Sequence, residues 1–245
     1  MSSRKTALVT GAAARIGASI CKTLHGRGCD VLLHYNSNRE SAQQLADKLN
    51  KERPQSVFPA QADLSSPAGL QNLVEQTRKH FGQLDVLVNN ASRFYPTAVG
   101  KTQAWQWDDL VNSNLRGPYF LVQSLLDELR TAGGAVINIV DIHAERPMPG
   151  HAVYCMSKAG LAMMTQSLAQ ELGPAVRVNG VSPGAILWPD NEPDSAEKIA
   201  ILDRTVLGRT GEADDIASAV AYLALDAPYV TGQILAVDGG RSVNV

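Results

Sequence analysis

The sequence predicts a doubly wound α/β fold, in which helices cover both faces of a parallel sheet of about seven strands. Short apolar segments alternate with segments of helical periodicity along the whole chain. A glycine-containing turn joins the first apolar segment to a helical stretch, as at the start of a βα unit. With 245 residues, of which 44% are hydrophobic, the chain is long enough to bury one large core. We therefore expect a single domain over residues 1–245.

Seven short segments rich in Val, Ile and Leu are predicted strands, and helices are predicted between them. Because helical stretches and short loops separate successive strands, we expect the strands to run parallel. The predicted strands cover residues 6–10, 31–35, 56–61, 86–89, 135–140, 176–181 and 233–237.

One region interrupts this alternation. Residues 188–194 contain Pro189 and Pro193 and lead into a predicted short helix. A mobile loop over a substrate pocket has this composition, and so has a solvated connection. We take residues 185–205 as the predicted substrate loop.

The turn after the first predicted strand has a glycine at each end, Gly11 and Gly17. Gly11 lets the chain turn tightly and present backbone N–H groups. Gly17 lets the next helix pack closely, with its N-terminus available to attract negative charge. The flanking strand and helix favour a pyrophosphate-binding turn over an ordinary loop.

Charge and cysteine content exclude several classes of protein. The net charge of −2 implies neither nucleic acid nor an acidic surface as a partner. Three cysteines without a C-x-x-C motif suggest no disulfide framework, and neither they nor the five histidines have the spacing of metal ligands. Residues 1–5 do not resemble a secretory signal, and no apolar run reaches the roughly 20 residues of a membrane span. We expect a cytoplasmic protein that binds no metal.

The strongest chemical signal is Tyr154 followed four residues later by Lys158. On a helix this spacing puts both side chains on one face, where the ammonium can stabilise a phenolate. An ordinary tyrosine has a pKa of about 10, so a neighbouring cation would bring the phenol closer to the working pH of a general acid. A tyrosine at the core edge beside a snorkelling lysine has the same spacing, and the rest of the chain decides between the two.

Eight motifs in order along nearly the whole chain resemble the short-chain dehydrogenase/reductase family. The resemblance implies a Rossmann-like domain that binds NAD or NADP and transfers hydride to a carbonyl or imine. It implies that Tyr154 is the acid, Lys158 its electrostatic partner and Asn114 the support of a proton relay; Asn114 could equally be a polar interruption of a helix. The motifs are residues 10–17, 63–64, 89–91, Asn114, Tyr154 with Lys158, 177–179, 182–184 and 238–240.

The chain departs from the usual family pattern at two positions, and in both it resembles the pteridine reductases. Arg15 replaces the middle glycine of the T-G-x-x-x-G-x-G motif, and Asp141, thirteen residues before Tyr154, replaces a serine. Residues 34–37 and 90–96 also resemble this subfamily, although Ser92 stands where the family usually has glycine.

The end of the second predicted strand favours NADPH over NADH. An NAD site usually has an acidic residue there to bind the ribose 2′-hydroxyl, but residues 34–39 contain none. Arg15, with Ser37, Asn38 or Arg39, could bind a 2′-phosphate; a solvent-facing Arg15 is the alternative. The resemblance places Asp63 near the adenine, whereas a cap near Ser65 is its plain structural role. The predicted cofactor residues are Gly11, Arg15, Ile16, Gly17, His34, Tyr35, Asn36, Ser37, Asp63, Leu64, Asn90, Ala91, Ser92, Tyr154, Lys158, Pro183, Gly184 and Ile186.

Asp141 follows the predicted strand 135–140 at its carboxyl end, where open α/β sheets bind ligands. Its carboxyl group could accept from the amino-pyrimidine edge of a pterin, hold a water or deliver a proton. A cap of the next turn is the structural alternative. The resemblance implies that Phe94 stacks on the bicyclic ring, although an aromatic packed in a loop core is as compatible with the sequence. The predicted substrate residues are Ser92, Phe94, Asp141 and Tyr154.

The sequence thus predicts an NADPH-dependent pteridine reductase, with Asp141, Tyr154, Lys158 and Asn114 as catalytic residues. The expected reaction is hydride transfer to a C=N bond of a 7,8-dihydropterin of the dihydrobiopterin, dihydromonapterin or dihydrofolate type. The alternatives are a reductase of ketones or 3-oxoacyl thioesters, and a non-catalytic NADP(H)-binding redox sensor. The resemblance also implies a homotetramer with the residues near Val245 in the assembly.

Overall fold

A single seven-stranded sheet runs through the computed structural model, which describes residues 4–186 and 195–244. The strand order is β3-β2-β1-β4-β5-β6-β7, and every neighbouring pair is parallel. The predicted parallel sheet of about seven strands is therefore confirmed. The strands are β1 (Thr6–Val9), β2 (Asp30–Tyr35), β3 (Val57–Gln61), β4 (Val86–Asn89), β5 (Ala135–Ile139), β6 (Arg177–Pro183) and β7 (Ile234–Val237).

Helices follow the strands and cover both faces of the sheet, as the alternation in the sequence predicts. A π-helical turn (Asn112–Arg116) joins two of them, a second one (Tyr222–Asp226) follows the last helix, and a 3-10 turn (Ile142–Ala144) follows β5. The helices are α1 (Arg15–Gly26), α2 (Arg39–Glu52), α3 (Pro67–His80), α4 (Ala104–Val111), α5 (Gly117–Ser124), α6 (Leu126–Ala132), α7 (Ala152–Leu172), α8 (Ser195–Asp203) and α9 (Ala213–Ala221).

The core consists of two apolar layers, one on each face of the sheet. Successive strand residues alternate between them: Val9 packs with α1 and α9, whereas Leu8 packs with α3, α5 and α7. Both layers are buried, which explains why the strands are apolar at consecutive positions rather than at every second one.

The strand order reverses between β1 and β4, and this reversal positions the site. The chain leaves β1 toward β2 on one side and leaves β4 toward β5 on the other, so the loops after β1 and β4 separate. A crevice forms at the carboxyl edge of the sheet, where this class of fold binds ligands.

The substrate loop predicted at 185–205 is described only in part. Residues 187–194 lie outside the described residues, and so does Val245, which the resemblance placed in an assembly. The predicted short helix after residue 194 is present as α8. In the parts of the chain that the structure describes, no helix is long and apolar enough to cross a membrane.

Candidate active site

A cavity of about 400 Å³ opens between the loops that follow β1 and β4. Most of the predicted cofactor residues line it, together with four that the sequence reasoning did not select. The predicted residues are Gly11, Arg15, Ile16, Gly17, His34, Asn36, Asp63, Leu64, Asn90, Ala91 and Ser92, and the additional ones are Ala14, Ser65, Arg93 and Ser113.

The two glycines of the first turn are required by close backbone approaches. Gly11 has a φ of +62°, and a Cβ atom there would lie 2.9 Å from the Cα of Ala91. A Cβ atom on Gly17 would collide with the carbonyl oxygen of Gly11 and lie 2.6 Å from Asn90 Nδ2. Asn90 Nδ2 donates to the carbonyl oxygens of Thr10 (2.8 Å) and Gly11 (3.0 Å). The turn is therefore built around small residues and held by the loop after β4.

Arg15 begins α1 and has a φ of +52°, in the left-handed region that suits glycine far better than arginine. The first turn of α1 carries no acidic side chain, and its N-terminus lines the cavity. The first four N–H groups of a helix have no partner within it and carry partial positive charge. This end of the cavity suits an anion such as a phosphate.

His34 lines the cavity, but both of its ring nitrogens are engaged by the protein. Nδ1 accepts from the Gly11 N–H (3.0 Å), and Nε2 lies 3.0 Å from the carbonyl oxygen of Ala62. Burial lowers the pKa of this imidazole to about 4, so the ring is neutral. Both ring nitrogens of His34 are thus engaged within the protein, and its predicted role in binding the cofactor stays a prediction.

Asp63 forms the turn that precedes α3. Its Oδ1 accepts from the backbone N–H and the hydroxyl of Ser65, at 3.0 and 2.7 Å, and these hydrogen bonds lower the pKa of the carboxyl group. The local cap suggested by the sequence is thus present, although the cap of α3 itself is Ser66. Asp63 also lines the cavity, as the resemblance implies.

Several predicted cofactor residues lie elsewhere. The side chain of Tyr35 is buried in the core beside α1 and α2, and Ser37 is exposed outside the cavity lining. Asn89, in one of the family motifs, is also buried and donates to Asn138 Oδ1 at 2.8 Å. The side chains of Tyr35 and Asn89 therefore support the sheet rather than line the cavity.

The residues after β6 lie at the same carboxyl edge of the sheet but do not line the cavity. Pro183 ends β6, and a Cβ atom on Gly184 would lie 2.6 Å from the Cα of Asp238. Ile186 lines a separate space of about 550 Å³ beside β7. Among the described residues, close packing with the chain after β7 explains the glycine at 184.

A short hydrogen bond joins the two residues at the centre of the predicted chemistry. The Tyr154 hydroxyl donates to Asp141 Oδ2 at 2.6 Å, and Asp141 Oδ1 accepts from the His143 N–H at 2.8 Å. Asp141 therefore caps the 3-10 turn and contacts the phenol at the same time. Burial, with the adjacent Asp141 carboxylate as the next cause, raises the pKa of Tyr154 well above its ordinary value. The phenol stays protonated and can act as a proton donor.

Lys158 is buried beside the Tyr154 ring and is held by a backbone carbonyl oxygen. Lys158 is 3% exposed, and its ammonium donates to the Ile139 carbonyl oxygen at 2.9 Å and lies 5.8 Å from the centroid of the Tyr154 ring. Burial lowers the pKa of Lys158 to about 8. The pKa of Tyr154 is raised by burial and by Asp141 rather than lowered as expected, and the role of Lys158 as the electrostatic partner of the phenol stays a prediction.

Asn114 lies in the π-helical turn between α4 and α5, where the regular hydrogen-bond pattern is interrupted. Its Oδ1 accepts from the Arg93 N–H at 2.8 Å, and its Nδ2 donates to the Ser157 hydroxyl at 3.1 Å. Ser157 in turn donates to the Tyr154 carbonyl oxygen at 2.7 Å. The helix interruption and the link to the tyrosine helix are therefore both present. π-Helical turns are frequent at functional sites.

An aromatic surface borders Tyr154. Phe94 is 55% exposed, which rules out packing in a loop core. Its ring stacks on His151 with centroids 4.7 Å apart, and it meets the Tyr154 ring edge-on at 4.8 Å. His151 was missed by the sequence reasoning, although it lies three residues before Tyr154 at the start of α7 and so shares its helix face.

The arrangement combines a protonated phenol, an adjacent carboxylate, a buried ammonium and an exposed aromatic face. Tyr154 and Lys158 do not line the cavity after β1 and β4, and Asp141 lines a separate space of about 90 Å³. Such a set can orient a flat, polar ring and give it one proton.

Comparison with known proteins agrees with this geometry. Residues 11–242 match the family described as enoyl-(acyl carrier protein) reductase. The chain is 35% identical to pteridine reductase 1 of Leishmania tarentolae, covering 97% of this chain and 96% of the relative. It is also 35% identical to the 3-oxoacyl-[acyl-carrier-protein] reductase FabG of Staphylococcus aureus, covering 98% and 99%.

A solved structure of a blue fluorescent protein from a metagenomic library, in complex with NADPH, superposes with a TM-score of 0.91 at 36% identity, covering 97% of both chains. The family match and these relatives span nearly the whole sequence. The chain belongs to the short-chain dehydrogenase/reductase family of oxidoreductases.

Proposed function

We propose that this protein is an NADPH-dependent pteridine reductase that reduces a C=N bond of a 7,8-dihydropterin to give the tetrahydropterin. The observation that carries the proposal is the Asp141 carboxylate, hydrogen-bonded to the Tyr154 hydroxyl at 2.6 Å. A serine at this position could hydrogen-bond a carbonyl oxygen, but only a carboxylate can accept strongly from the amino and ring N–H groups of a pterin.

NADPH fits the cavity at the β1 and β4 loops. Gly11 and Gly17 keep the turn free of Cβ atoms, and the first turn of α1 offers backbone donors to phosphate. Arg15 lines the same cavity, and no carboxylate follows β2 before residue 40 to repel a 2′-phosphate. The NADPH complex of the solved relative supports the same choice. When bound, the cofactor supplies the hydride.

Tyr154 supplies the proton that reduction of the C=N bond requires in addition to the hydride. As a C–H bond forms at the acceptor carbon, the adjacent nitrogen becomes more basic, and the phenol hydrogen is transferred to it. The raised pKa keeps Tyr154 protonated until that moment. The buried ammonium of Lys158 then offsets the phenolate charge that develops.

Asp141 and Phe94 orient the substrate in this mechanism. Asp141 accepts from the polar edge of the pterin, while the exposed ring of Phe94 provides a surface on which the bicycle stacks. Asn114 keeps the loop bearing Phe94 tied to α7 through Arg93 and Ser157. Orientation by fixed groups of this kind supplies a large part of the rate enhancement.

A 3-oxoacyl thioester reductase is the second candidate. It is favoured by the FabG relatives, which are as similar in sequence as pteridine reductase 1, and by the description of the matching family. Tyr154 and Lys158 would serve that reaction equally well. Asp141 has no evident use in it, since a thioester ketone presents no hydrogen-bond donor.

The test is NADPH consumption with a 7,8-dihydropterin and, in parallel, with a 3-oxoacyl thioester, using wild type, Asp141→Ser and the exposed control Asp47→Ser. We expect dihydropterin turnover in wild type and Asp47→Ser, and a loss of about 100-fold or more in Asp141→Ser. Turnover of the thioester alone, or undiminished pterin turnover in Asp141→Ser, would refute the proposal. NADPH binding without turnover of either substrate would identify a redox sensor.

The single domain over residues 1–245, the homotetramer and the cytoplasmic location stay predictions. Size-exclusion chromatography with light scattering measures the assembly directly, and a mass near four times 26.2 kDa is the expected result.

A further inference from the structure

One buried imidazole connects three loops at the cofactor cavity. His34, near the carboxyl end of β2, is 2% exposed. Its Nδ1 accepts from the Gly11 N–H at 3.0 Å, in the turn after β1, and its Nε2 lies 3.0 Å from the Ala62 carbonyl oxygen, after β3. Its own carbonyl oxygen accepts from the Ala12 N–H at 2.8 Å. Two successive N–H groups of the turn are thus bound by a single residue.

The two ring contacts determine the tautomer of His34. A backbone N–H can only donate, so Nδ1 must present a lone pair to Gly11. A carbonyl oxygen can only accept, so Nε2 must carry the hydrogen that points to Ala62. Among the described residues, the charged group that acts on the ring is Asp63. The imidazole is therefore a neutral group with one accepting and one donating end, matched to partners from two different loops.

The turn after β1 needs such a restraint because its backbone is strained. Gly11 and Arg15 have φ angles of +62° and +52°, and the second value is costly for a residue with a side chain. Gly11 also approaches Ala91 closely. Strained backbone persists only where surrounding contacts over-determine it. His34 supplies two of those contacts at the start of the turn.

These contacts also decide which donors are left for a phosphate. The N–H groups of Gly11 and Ala12 are both occupied by His34. The first turn of α1, beginning at Arg15, then provides the backbone donors that face the cavity. A turn already held in shape binds its ligand more tightly, because no ordering cost has to be met on binding.

We propose that His34 is a positioning residue for NADPH: by accepting the Gly11 N–H at Nδ1, it keeps the turn after β1 in its binding conformation without contacting the cofactor itself. The inference rests on the proposed use of NADPH but not on the substrate. The hydrogen bond from Gly11 to His34 Nδ1 affects the affinity for NADPH, whereas the hydrogen bond from His34 Nε2 to Ala62 has only a structural effect.

Two amide substitutions separate the two hydrogen bonds. In His34→Asn the side-chain oxygen can occupy the place of Nδ1 and accept from Gly11, whereas in His34→Gln the amide nitrogen can occupy the place of Nε2 and donate to Ala62. We expect the Kd for NADPH, measured by fluorescence titration, to stay within about twofold of wild type in His34→Asn and to rise about tenfold in His34→Gln. The kcat of His34→Gln at saturating NADPH should be unchanged.

His25 provides the matched control. It is equally buried, bonds Ser56 through Nε2 at 2.9 Å, and lies at the opposite edge of the sheet. His25→Asn and His25→Gln should lower the melting temperature without changing the Kd. Wild-type affinity in His34→Gln, or an equal loss in both His34 variants, would overturn the proposal.

A second measurement needs no variant. The Gly11 amide of the wild-type protein should be protected from hydrogen exchange in the absence of cofactor, and rapid exchange would also overturn the proposal. If wild type binds no NADPH, the proposed cofactor is wrong. If it binds NADPH but does not reduce a dihydropterin, the substrate assignment fails and the role of His34 is unaffected.

Discussion

The amino edge of the sheet, where the strands begin, and the carboxyl edge, where they end, have the same pair of unusual features. Only at the carboxyl edge do these residues line the cavity. Each edge has a histidine that is 2% exposed and a non-glycine residue in the left-handed region. At the amino edge these are His25 and Gln55, whose φ is +53°. At the carboxyl edge they are His34 and Arg15, and both line the cofactor cavity.

This difference between the edges follows from the directions in which the loops leave the strands. His25 and Ser56 pack where α1 ends and β3 begins, and Ser56 also donates to the Arg53 carbonyl oxygen. At the carboxyl edge the loops after β1 and β4 diverge, so the same kinds of residue face a crevice. A buried histidine or a strained backbone is therefore informative about function only together with its position in the sheet.

The largest effect on activity is expected at the carboxyl edge, from Tyr154→Phe. Loss of the hydroxyl removes the proton donor and should lower kcat by about 10²- to 10⁴-fold, while the Kd for NADPH is retained. Tyr95→Phe is the matched control, because Tyr95 also donates to a carboxylate, Asp109 Oδ2 at 2.9 Å, but one that belongs to a different element, helix α4. Steady-state kinetics of both variants check the prediction, and full turnover in Tyr154→Phe would remove the tyrosine from the mechanism.

Acid stability distinguishes the carboxyl-edge histidine in a second way. The pKa of His34 is about 4 when folded and about 6.5 when unfolded, so between these values the unfolded chain binds the extra proton. The free energy of unfolding should therefore fall by about 3 kcal/mol as the pH drops from 6.5 to 4. Burial also lowers the pKa of His25, which acts in the same direction.

Urea unfolding at several pH values measures this effect, and the difference between wild type and His34→Asn isolates it. Asparagine does not titrate, so the variant should lose less stability over the same range. A parallel pH dependence in the two proteins would show that His34 is protonated in the folded state or does not contribute.

The pH dependence of catalysis tests the buried ammonium at the carboxyl edge. Burial lowers the pKa of Lys158 to about 8, so the charge that offsets the phenolate is lost above that pH. We expect kcat/KM to fall about tenfold per pH unit above pH 8. Tyr154 does not produce this limb, because its pKa is raised. A profile that stays flat to pH 10 would contradict the assignment.

The smallest effects are expected from the two left-handed residues, and they compare the edges most directly. Arg15→Gly and Gln55→Gly should each stabilise the protein by about 1 kcal/mol, because glycine adopts a positive φ without strain. Only Arg15→Gly should raise the KM for NADPH, by about tenfold, through loss of a charge-assisted contact. Thermal unfolding and cofactor kinetics measure both effects, and an equal KM for NADPH in the two variants would contradict the expected difference between the edges.

Much of the fold could be predicted because its strands are buried on both faces. Residues 86–89 were predicted as a strand and are β4, and the other predicted strands lie within two residues of the observed bounds. The identities of Arg15, Asp141, Tyr154 and Lys158 could also be read from motif spacing. Chemistry of this kind depends on residue type and local spacing, which a sequence contains.

The partners of those residues could not be predicted, because they come from distant parts of the chain. His34 meets Gly11 and Ala62 only after three strands have paired, and Lys158 meets the Ile139 carbonyl oxygen only after α7 packs on β5. Burial then changes the electrostatics, so that the pKa of Tyr154 rises where spacing alone suggested a fall.

The α/β alternation, the family and the residue types at the site can be predicted from the amino-acid sequence alone. The assembled fold is needed to show at which edge of the sheet those residues meet, which hydrogen bonds they form and in which direction their pKa values move. The physical reason is that periodicity and spacing are local properties of the chain, whereas burial and long-range hydrogen bonds exist only once the sheet has assembled.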